Sequence, residues 1–300
     1  MAQAHSASLW AHTATPEIDA PALQGQVQAD VTIVGAGFTG CAAALALALR
    51  GSKVRVLEAN AVGWGASGRT GGQVIPGMKY DPDEIDAMFG PELGPRMAQA
   101  AGSVGDEIFG LLERHGIACD AVRKGWLQPA FSPRTLDTVQ RRCAQWRQRG
   151  ADVAPVERAR MARLLGTEHY PGGWEDRRAG HVQPLSYVRG LAAAAQRAGT
   201  VFHGDSPAVV LTRQGATWRV ATPNGALDAG QVLIATNGYA DGLWPGLART
   251  VVPIFTLQGA TVPLPDALGK DILPEGHAAS DTRRLLWYYR RDAAAPFPAR

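Results

Sequence analysis

The stretch ADVTIVGAGFTGCAAALALALRGSKVRVLEA, residues 29–59, decides the fold. From Asp30 to Glu58 it runs strand, glycine turn, helix, strand, acid. Val31, Thr32, Ile33 and Val34 are all β-branched, as suits a strand buried on both faces, and glycine follows at once. Gly35, Gly37 and Gly40 have the G-x-G-x-x-G spacing. The first permits a tight turn, the second lets backbone approach a pyrophosphate, and the third lets helix pack closely on strand.

Phe38 to Arg50 is mostly Ala and Leu, and Gly51 stands where a left-handed helix cap belongs. The helix starts at the glycines, so its free N–H groups and positive dipole end face the turn, where an anion gains about 0.3–2 kcal/mol. Val54, Val56 and Leu57 form the second strand. Glu58 closes it where a carboxylate can accept hydrogen bonds from ribose hydroxyls, which disfavours the 2′-phosphate of NADP. Glycines that only make a turn are common, but strand, helix, second strand and acid in register favour a dinucleotide site, with Ala36 inside its turn and NAD and FAD both open.

Three hundred residues suffice for one large domain or two interleaved ones. The formal charge is +3 and the isoelectric point about 8.9, yet only Lys53, Lys79, Lys124 and Lys270 are lysines. The pairs Arg141-Arg142, Arg177-Arg178, Arg283-Arg284 and Arg290-Arg291 are short, read as solvated faces, and make nucleic acid an unexpected partner. Cys41, Cys119 and Cys143 signal neither a disulfide framework nor a zinc site, which points to a reducing cytoplasm. The N-terminus lacks the basic start and apolar core of a secretory signal, and the apolar run Cys41 to Leu49 is too short to span a bilayer.

A second glycine-rich stretch, AVGWGASGRTGGQVIPG, occupies residues 61–77. Trp64, Arg69, Val74 and Ile75 are out of place in a flexible linker, so a cofactor-wrapping loop is the better reading. Beyond it, Asp81-Pro82-Asp83 caps an acidic helix, and a longer helical segment is expected from Pro91 to His115. Ile117 to Val122 and Gly125 to Phe131 read as a hairpin around Arg123-Lys124, and Ser132-Pro133 opens a helix ending at Gly150. A short helix follows from Val156 to Leu165. His169 and His181 have no partner acids at set spacing, so they read as surface or hydrogen-bonded histidines rather than metal ligands.

Pro184 to Ala198 is an Ala-rich helix and Thr200 to His203 a strand. Ala208 to Thr212 pairs with Thr217 to Thr222, and Pro223-Asn224-Gly225 turns into Ala226 to Asp228. Gln231 to Ile234 is a buried parallel strand ending in Ala235-Thr236-Asn237-Gly238, where an open α/β sheet meets its ligand. Thr250 to Pro263 and Arg284 to Arg291 read as longer strands opening an antiparallel sheet.

Four stretches, VGAGFTG with Glu58, GASGRTGGQV, HVQPLSYVRGLA and VLIATNGY, together resemble the FAD-dependent oxidoreductases of the D-amino-acid oxidase superfamily, within it the branch of gamma-glutamylputrescine oxidoreductase-like amine oxidases. The resemblance spans about residues 8 to 290, and GASGRTGG is its most specific piece. It implies FAD, with adenosine and pyrophosphate on Gly35, Ala36, Gly37, Gly40 and Glu58. Ser67, Gly68, Arg69, Gly71, Gly72 and Gln73 would line pyrophosphate and flavin, Val209 would touch adenine through its backbone, and Thr236 and Asn237 would lie close to the cofactor.

The implied fold is α/β: a Rossmann-type FAD-binding domain, residues 24–80 and 184–245, interleaved with an antiparallel-sheet substrate domain of α+β type, residues 81–183 and 246–292. Residues 1–23 are a lead-in and 293–300 a disordered tail by composition. Relatives continue past the WYYR-like strand into a glycine-paired turn and a last helix. A native ending, a truncation and a shifted reading frame are all compatible with this chain's AAAPFPAR.

The chemistry implied is hydride transfer from the carbon beside a substrate amine to flavin N5, giving an imine that water hydrolyses. The partners are an amine or amino acid and an electron acceptor, oxygen or another. No catalytic base is signalled by spacing. Trp287, Tyr288 and Tyr289 are candidates for a substrate wall, since an aromatic face can hold a cationic amine, and sheet core is the alternative for each. Two competitors are an NAD-dependent dehydrogenase, which has no need of the second glycine loop, and a catalytically impaired FAD-binding fragment.

Overall fold

The computed structural model describes His5 and residues 7–292. Residues 293–300, expected as a disordered tail, lie outside the described residues. In chain order the elements are α1 (Leu9–Thr13), β1 (Gly25–Val34), α2 (Phe38–Ala48), β2 (Val54–Leu57), β3 (Gln73–Val74), α3 (Pro82–Gly102), α4 (Val104–His115), β4 (Trp126–Pro129), α5 (Pro133–Gln148), β5 (Val153–Glu157), α6 (Arg158–Leu165), β6 (Gly172–Asp176), β7 (Gly180–His181), α7 (Pro184–Arg197), β8 (Val201–His203), β9 (Val210–Gln214), β10 (Thr217–Thr222), β11 (Gly225–Ile234), α8 (Asp266–Gly269), β12 (Ala278–Ser280) and β13 (Tyr288–Tyr289). The described residues fall into two compact units. One draws on the described residues up to Thr70, Ile117–Cys119 and Gln183–Gly259, the other on Gly71–Gly116, Asp120–Val182 and the described residues from Ala260 on.

The first unit is built on a six-stranded sheet in the order β8-β2-β1-β11-β10-β9. β8, β2, β1 and β11 are parallel, and β10 and β9 continue the edge as an antiparallel meander. The two short segments expected at Ala226–Asp228 and Gln231–Ile234 are one strand, β11. Its first half pairs with β10 and its whole length with β1. Leu23, Val34, Leu57, Val220, Leu227 and Ala229 make a core on this sheet. α2 is apolar nearly all round, as a helix pressed between sheet and neighbouring helix must be, and its main helical neighbour is α7.

The second unit holds a five-stranded sheet in the order β13-β12-β4-β6-β5. It is antiparallel, as expected, except for β12 against β4, which run parallel. Both faces are covered. Trp126 and Trp174 meet α5 through Val139, Cys143 and Trp146 on one face, while Leu127 and Val156 meet α6 through Met161, Leu164 and Leu165 on the other. Adjacent residues of a strand face opposite ways, so Trp126 and Leu127 serve different cores.

Other expectations are corrected. The hairpin at Ile117–Phe131 does not form. Val122 makes an isolated bridge with His181, and β4 pairs with β6 and β12 instead. The helix expected from Pro91 to His115 breaks at Ser103, and α3 kinks at Gly90, whose φ is +77°. Residues 153–157 are strand, and the helix behind them starts at Arg158. Thr250–Pro263 contains no strand, and of Arg284–Arg291 only Tyr288–Tyr289 pairs. Val252, Ile254, Phe255 and Leu257 are exposed, having no partner strand among the described residues.

Candidate functional site

In the first unit three strand ends converge on Gly35. Its N–H donates to the Leu57 carbonyl at 2.8 Å, and Ala235 N–H donates to the Val34 carbonyl at 2.8 Å. Gly35 has φ +104°, and a Cβ there would stand 2.8 Å from the Ala235 oxygen. At Gly40 a Cβ would come within 1.9 Å of the Gly35 carbonyl oxygen, so the third glycine is what lets α2 begin directly on the turn. The space beside Gly37 is taken by the Ser67 hydroxyl, which would lie 2.8 Å from an added Cβ and which accepts the Phe38 N–H at 2.9 Å. The second glycine thus makes room for the second loop.

Glu58 faces the same turn. Its Oε2 accepts the N–H of buried Ala36 at 2.8 Å and its Oε1 accepts the Asn60 N–H at 3.1 Å. Burial raises the carboxyl above its ordinary pKa, opposed by these N–H donors.

The second loop packs by its glycines. Gly63, with φ +77°, donates to the Ala36 carbonyl at 3.1 Å, and a Cβ on it would meet Val188 at 2.4 Å. A Cβ on Gly68 would lie 2.1 Å from the Gly63 oxygen. Arg69 donates from Nε to the Trp64 carbonyl at 2.8 Å and stacks on that indole at 4.4 Å. Trp64 meets the ring of Tyr239 edge-on at 5.8 Å, in the turn that holds Thr236 and Asn237, the latter with φ +45°. Val209 is exposed, with its N–H committed to the Ala221 carbonyl at 2.8 Å. The first unit therefore brings together Gly35, Ala36, Gly37, Gly40, Glu58, Ser67, Gly68 and Arg69 and sets Thr236 and Asn237 at the adjoining strand end.

In the second unit Gly71 faces open space, with nothing within 4 Å of an added Cβ, and Gly72 accepts the Val182 N–H at 2.8 Å. Gln73 pairs with His181 across the β3–β7 ribbon. Its Nε2 donates to the carbonyls of Ala279 at 3.1 Å and Tyr289 at 3.3 Å, while its Oε1 is enclosed without a partner among the described residues. In the first unit, a helix N-terminus beside a ribose-type carboxylate is a donor and acceptor set that fits the adenosine half of FAD.

Arg290 was missed, because Arg290-Arg291 reads as a solvated pair. Its side chain is 7% exposed, and it donates to His181 Nδ1 at 2.6 Å and to Asp292 at 3.2 Å. An arginine cannot accept, so Nδ1 is the acceptor and the His181 proton sits on Nε2, toward the Gly276 backbone. Burial and the Arg290 charge bring the His181 pKa down to about 4. Arg178 is likewise not solvated: it holds fully buried Asp176 at 2.6 Å and stacks on Trp146.

Trp287 is 65% exposed and already has a cation over its ring, the guanidinium of Arg283 at 5.7 Å, which also stacks on Phe131 at 4.5 Å. Tyr288 is exposed, and the Tyr289 hydroxyl is enclosed beside Tyr170. Among the described residues no group of three or more His, Cys, Asp or Glu is placed to hold a metal, and no helix is long and apolar enough to cross a membrane.

A glycine turn with its acid, a second glycine loop locked onto it and a neighbouring strand end are features of a dinucleotide-binding type of fold. The family model described as FAD dependent oxidoreductase matches residues 30–295, and the chain belongs to that family. It is 32% identical over 297 residues to the probable oxidoreductase OrdL of Haemophilus influenzae, covering 97% of this chain and 69% of that one. It is 30% identical over 292 residues to the gamma-glutamylputrescine oxidoreductase of Escherichia coli, covering 96% and 68%. Among solved structures, glycine oxidase from Geobacillus kaustophilus superposes with a TM-score of 0.62 at 24% identity, over 74% of this chain and 58% of that one. The chain thus spans about two thirds of the length of these curated relatives.

Proposed function

We propose that the chain is an FAD-dependent oxidoreductase that oxidises the C–N bond of an amine or amino acid, working in the cytoplasm. The match to the FAD-dependent family over residues 30–295, laid on an intact glycine turn with Glu58, carries this reading. Residues 24–80 and 184–245 are the FAD-binding part, and 81–183 with 246–292 the substrate part. Gly35, Ala36, Gly37 and Gly40 hold the pyrophosphate at the α2 N-terminus, and Glu58 receives the ribose hydroxyls. Ser67, Gly68 and Arg69 continue along the pyrophosphate, and Gly71, Gly72 and Gln73 border the flavin. Val209 lies by adenine through its backbone carbonyl, its N–H being taken. Thr236 and Asn237 adjoin the cofactor.

FAD, when bound, supplies the acceptor for the hydride that leaves the carbon next to the substrate nitrogen. The substrate also loses the nitrogen proton, and water adds to the resulting imine to give a carbonyl product and a free amine. What the protein contributes is binding, orientation and exclusion of water. Tyr288 and Tyr289 are offered as the substrate wall, with Trp287 as its outer end. The names of the relatives, an amine oxidoreductase and a glycine oxidase, support an amine or amino-acid donor.

The test is reconstitution with FAD followed by anaerobic mixing with primary amines, secondary amines and amino acids. Bleaching of the flavin absorbance by one class supports the proposal and names the donor. Bound flavin that no amine bleaches contradicts the activity, and protein that takes NAD in place of FAD contradicts the cofactor.

A further inference from the structure

The lead-in ahead of β1 is gripped by side chains of the α7 region that the cofactor reading leaves without a task. Gln183 caps α7, and Ser186 and Arg189 follow at three-residue intervals. They are 0%, 1% and 7% exposed. Each is turned to the lead-in. Gln183 Nε2 donates to the Trp10 carbonyl at 2.8 Å and to the Thr13 hydroxyl at 3.1 Å. Ser186 Oγ accepts the Thr15 N–H at 3.0 Å. Arg189 donates to the Thr15 carbonyl and, at 2.8 Å, to the Glu17 carboxylate.

The grip continues past α7. Gln196 Nε2 donates to the Asp19 carbonyl at 2.6 Å, Gly204 N–H to the Ala20 carbonyl at 3.0 Å, and Leu23 N–H to the Ser206 hydroxyl at 2.8 Å. A stripe of polar groups buried in a helix is costly unless it is hydrogen-bonded, and here the lead-in supplies partners to the Gln183 amide, the Ser186 hydroxyl and two nitrogens of the Arg189 guanidinium.

Other residues of the same helix turn carry the second glycine loop. Leu185 and Val188 pack where a Cβ on Gly63 would be, at 3.0 and 2.4 Å, and Leu185 lies 2.9 Å from a Cβ built on Gly68. The helix that bears on the loop is thus the helix the lead-in holds.

We propose that residues 8–23 are a strap which, through α7, sets the position of loop 63–69, so that Gln183, Ser186 and Arg189 are positioning residues for the cofactor site. This rests on the reading that the loop holds FAD. Close packing transmits a displacement of α7 into the loop, because Gly63 and Gly68 leave no slack against Leu185 and Val188.

The loop carries its own reporter, Arg69, a trypsin site half-buried on Trp64, while exposed Arg213 in the β9–β10 hairpin is an internal control. In the apo-protein, Arg189→Met is expected to speed cleavage after Arg69 by about tenfold and to raise the FAD dissociation constant by about the same factor, as loss of hydrogen bonds from a charged group implies, and Ser186→Ala, which removes one neutral hydrogen bond, by about threefold. Cleavage after Arg213 stays unchanged, and Arg189→Lys, which keeps one donor, recovers most of the protection. Equal acceleration at Arg69 and Arg213 in both variants would mean general loosening and overturn the proposal, as would an unchanged Arg69. If Arg69 opens in a protein that binds no FAD even as wild type, the strap stands and the functional reading fails.

Discussion

The Glu58 carboxylate accepts the backbone N–H of Ala36 at 2.8 Å, so the acid at the end of the second strand closes the glycine turn at the end of the first. One residue ties together β1, its turn and β2. The carboxylate proposed to receive the ribose is then held in place by the same turn proposed to hold the pyrophosphate.

Glu58→Gln separates these roles. Burial raises the Glu58 pKa, so its ionisation costs stability above the folded value, and the cost vanishes below the ordinary 4.5. The variant should be close to wild type in stability at neutral pH and should lack the relative gain that wild type shows as pH falls toward 4.5. Its FAD dissociation constant should rise about 10–100-fold, the worth of a hydrogen bond to a charged acceptor. Urea unfolding at several pH values, with FAD titration alongside, checks both.

Two alanine substitutions distinguish a glycine that serves the fold from one proposed to border the flavin. Gly40→Ala drives a methyl into the Gly35 carbonyl and should cost about 3 kcal/mol, seen in the urea midpoint. Gly71→Ala meets nothing within 4 Å and should change apo-stability by less than about 0.5 kcal/mol, while weakening FAD binding. Equal apo-stability losses would contradict this division.

His181 predicts a pH effect of the opposite sign. Its pKa is depressed from 6.5 to about 4, so below pH 6.5 the unfolded chain takes up a proton that the folded one refuses. Stability therefore falls as pH drops from 6.5 to about 4 and the loss ends there. At ~1.4 kcal/mol per decade of proton concentration this is about 3 kcal/mol. His181→Gln keeps an acceptor for Arg290 and should abolish that portion. Parallel stability curves for the two proteins would rule the account out.

Arg283 anchors the hairpin that carries the aromatic residues. It pairs at 3.1 Å with Asp281, which is fully buried and also accepts the Trp287 N–H at 3.3 Å. Arg283→Met should cost about 2 kcal/mol, a buried-pair loss reduced because Arg283 is 28% exposed. FAD affinity should be unchanged and the KM for the amine donor raised. A raised FAD dissociation constant with unaltered KM would place the hairpin at the cofactor instead.

The glycine turn was legible in the sequence because its determinants are local: β-branched residues, three glycines at fixed spacing and an acid at the next strand end. Helices with capping signals, such as Ser132-Pro133 before α5, were legible for the same reason. Pairing was not. The strand propensity of Trp126–Pro129 was read correctly, but its neighbours come from residues 172–176 and 278–280, and no local pattern names them. Thr250–Pro263 has the composition of a strand without a partner among the described residues, and propensity alone does not make one. Arg290 escaped notice because its partner His181 lies 109 residues upstream.

The most direct test is calorimetric titration of the apo-protein with FAD, with NAD as the comparison ligand and Glu58→Gln as the control. One FAD bound per chain, markedly weaker in the variant, with no heat from NAD, is the predicted result. Binding of NAD in preference to FAD, or FAD binding indifferent to Glu58, would contradict the assignment of this turn and its acid to the adenosine half of FAD.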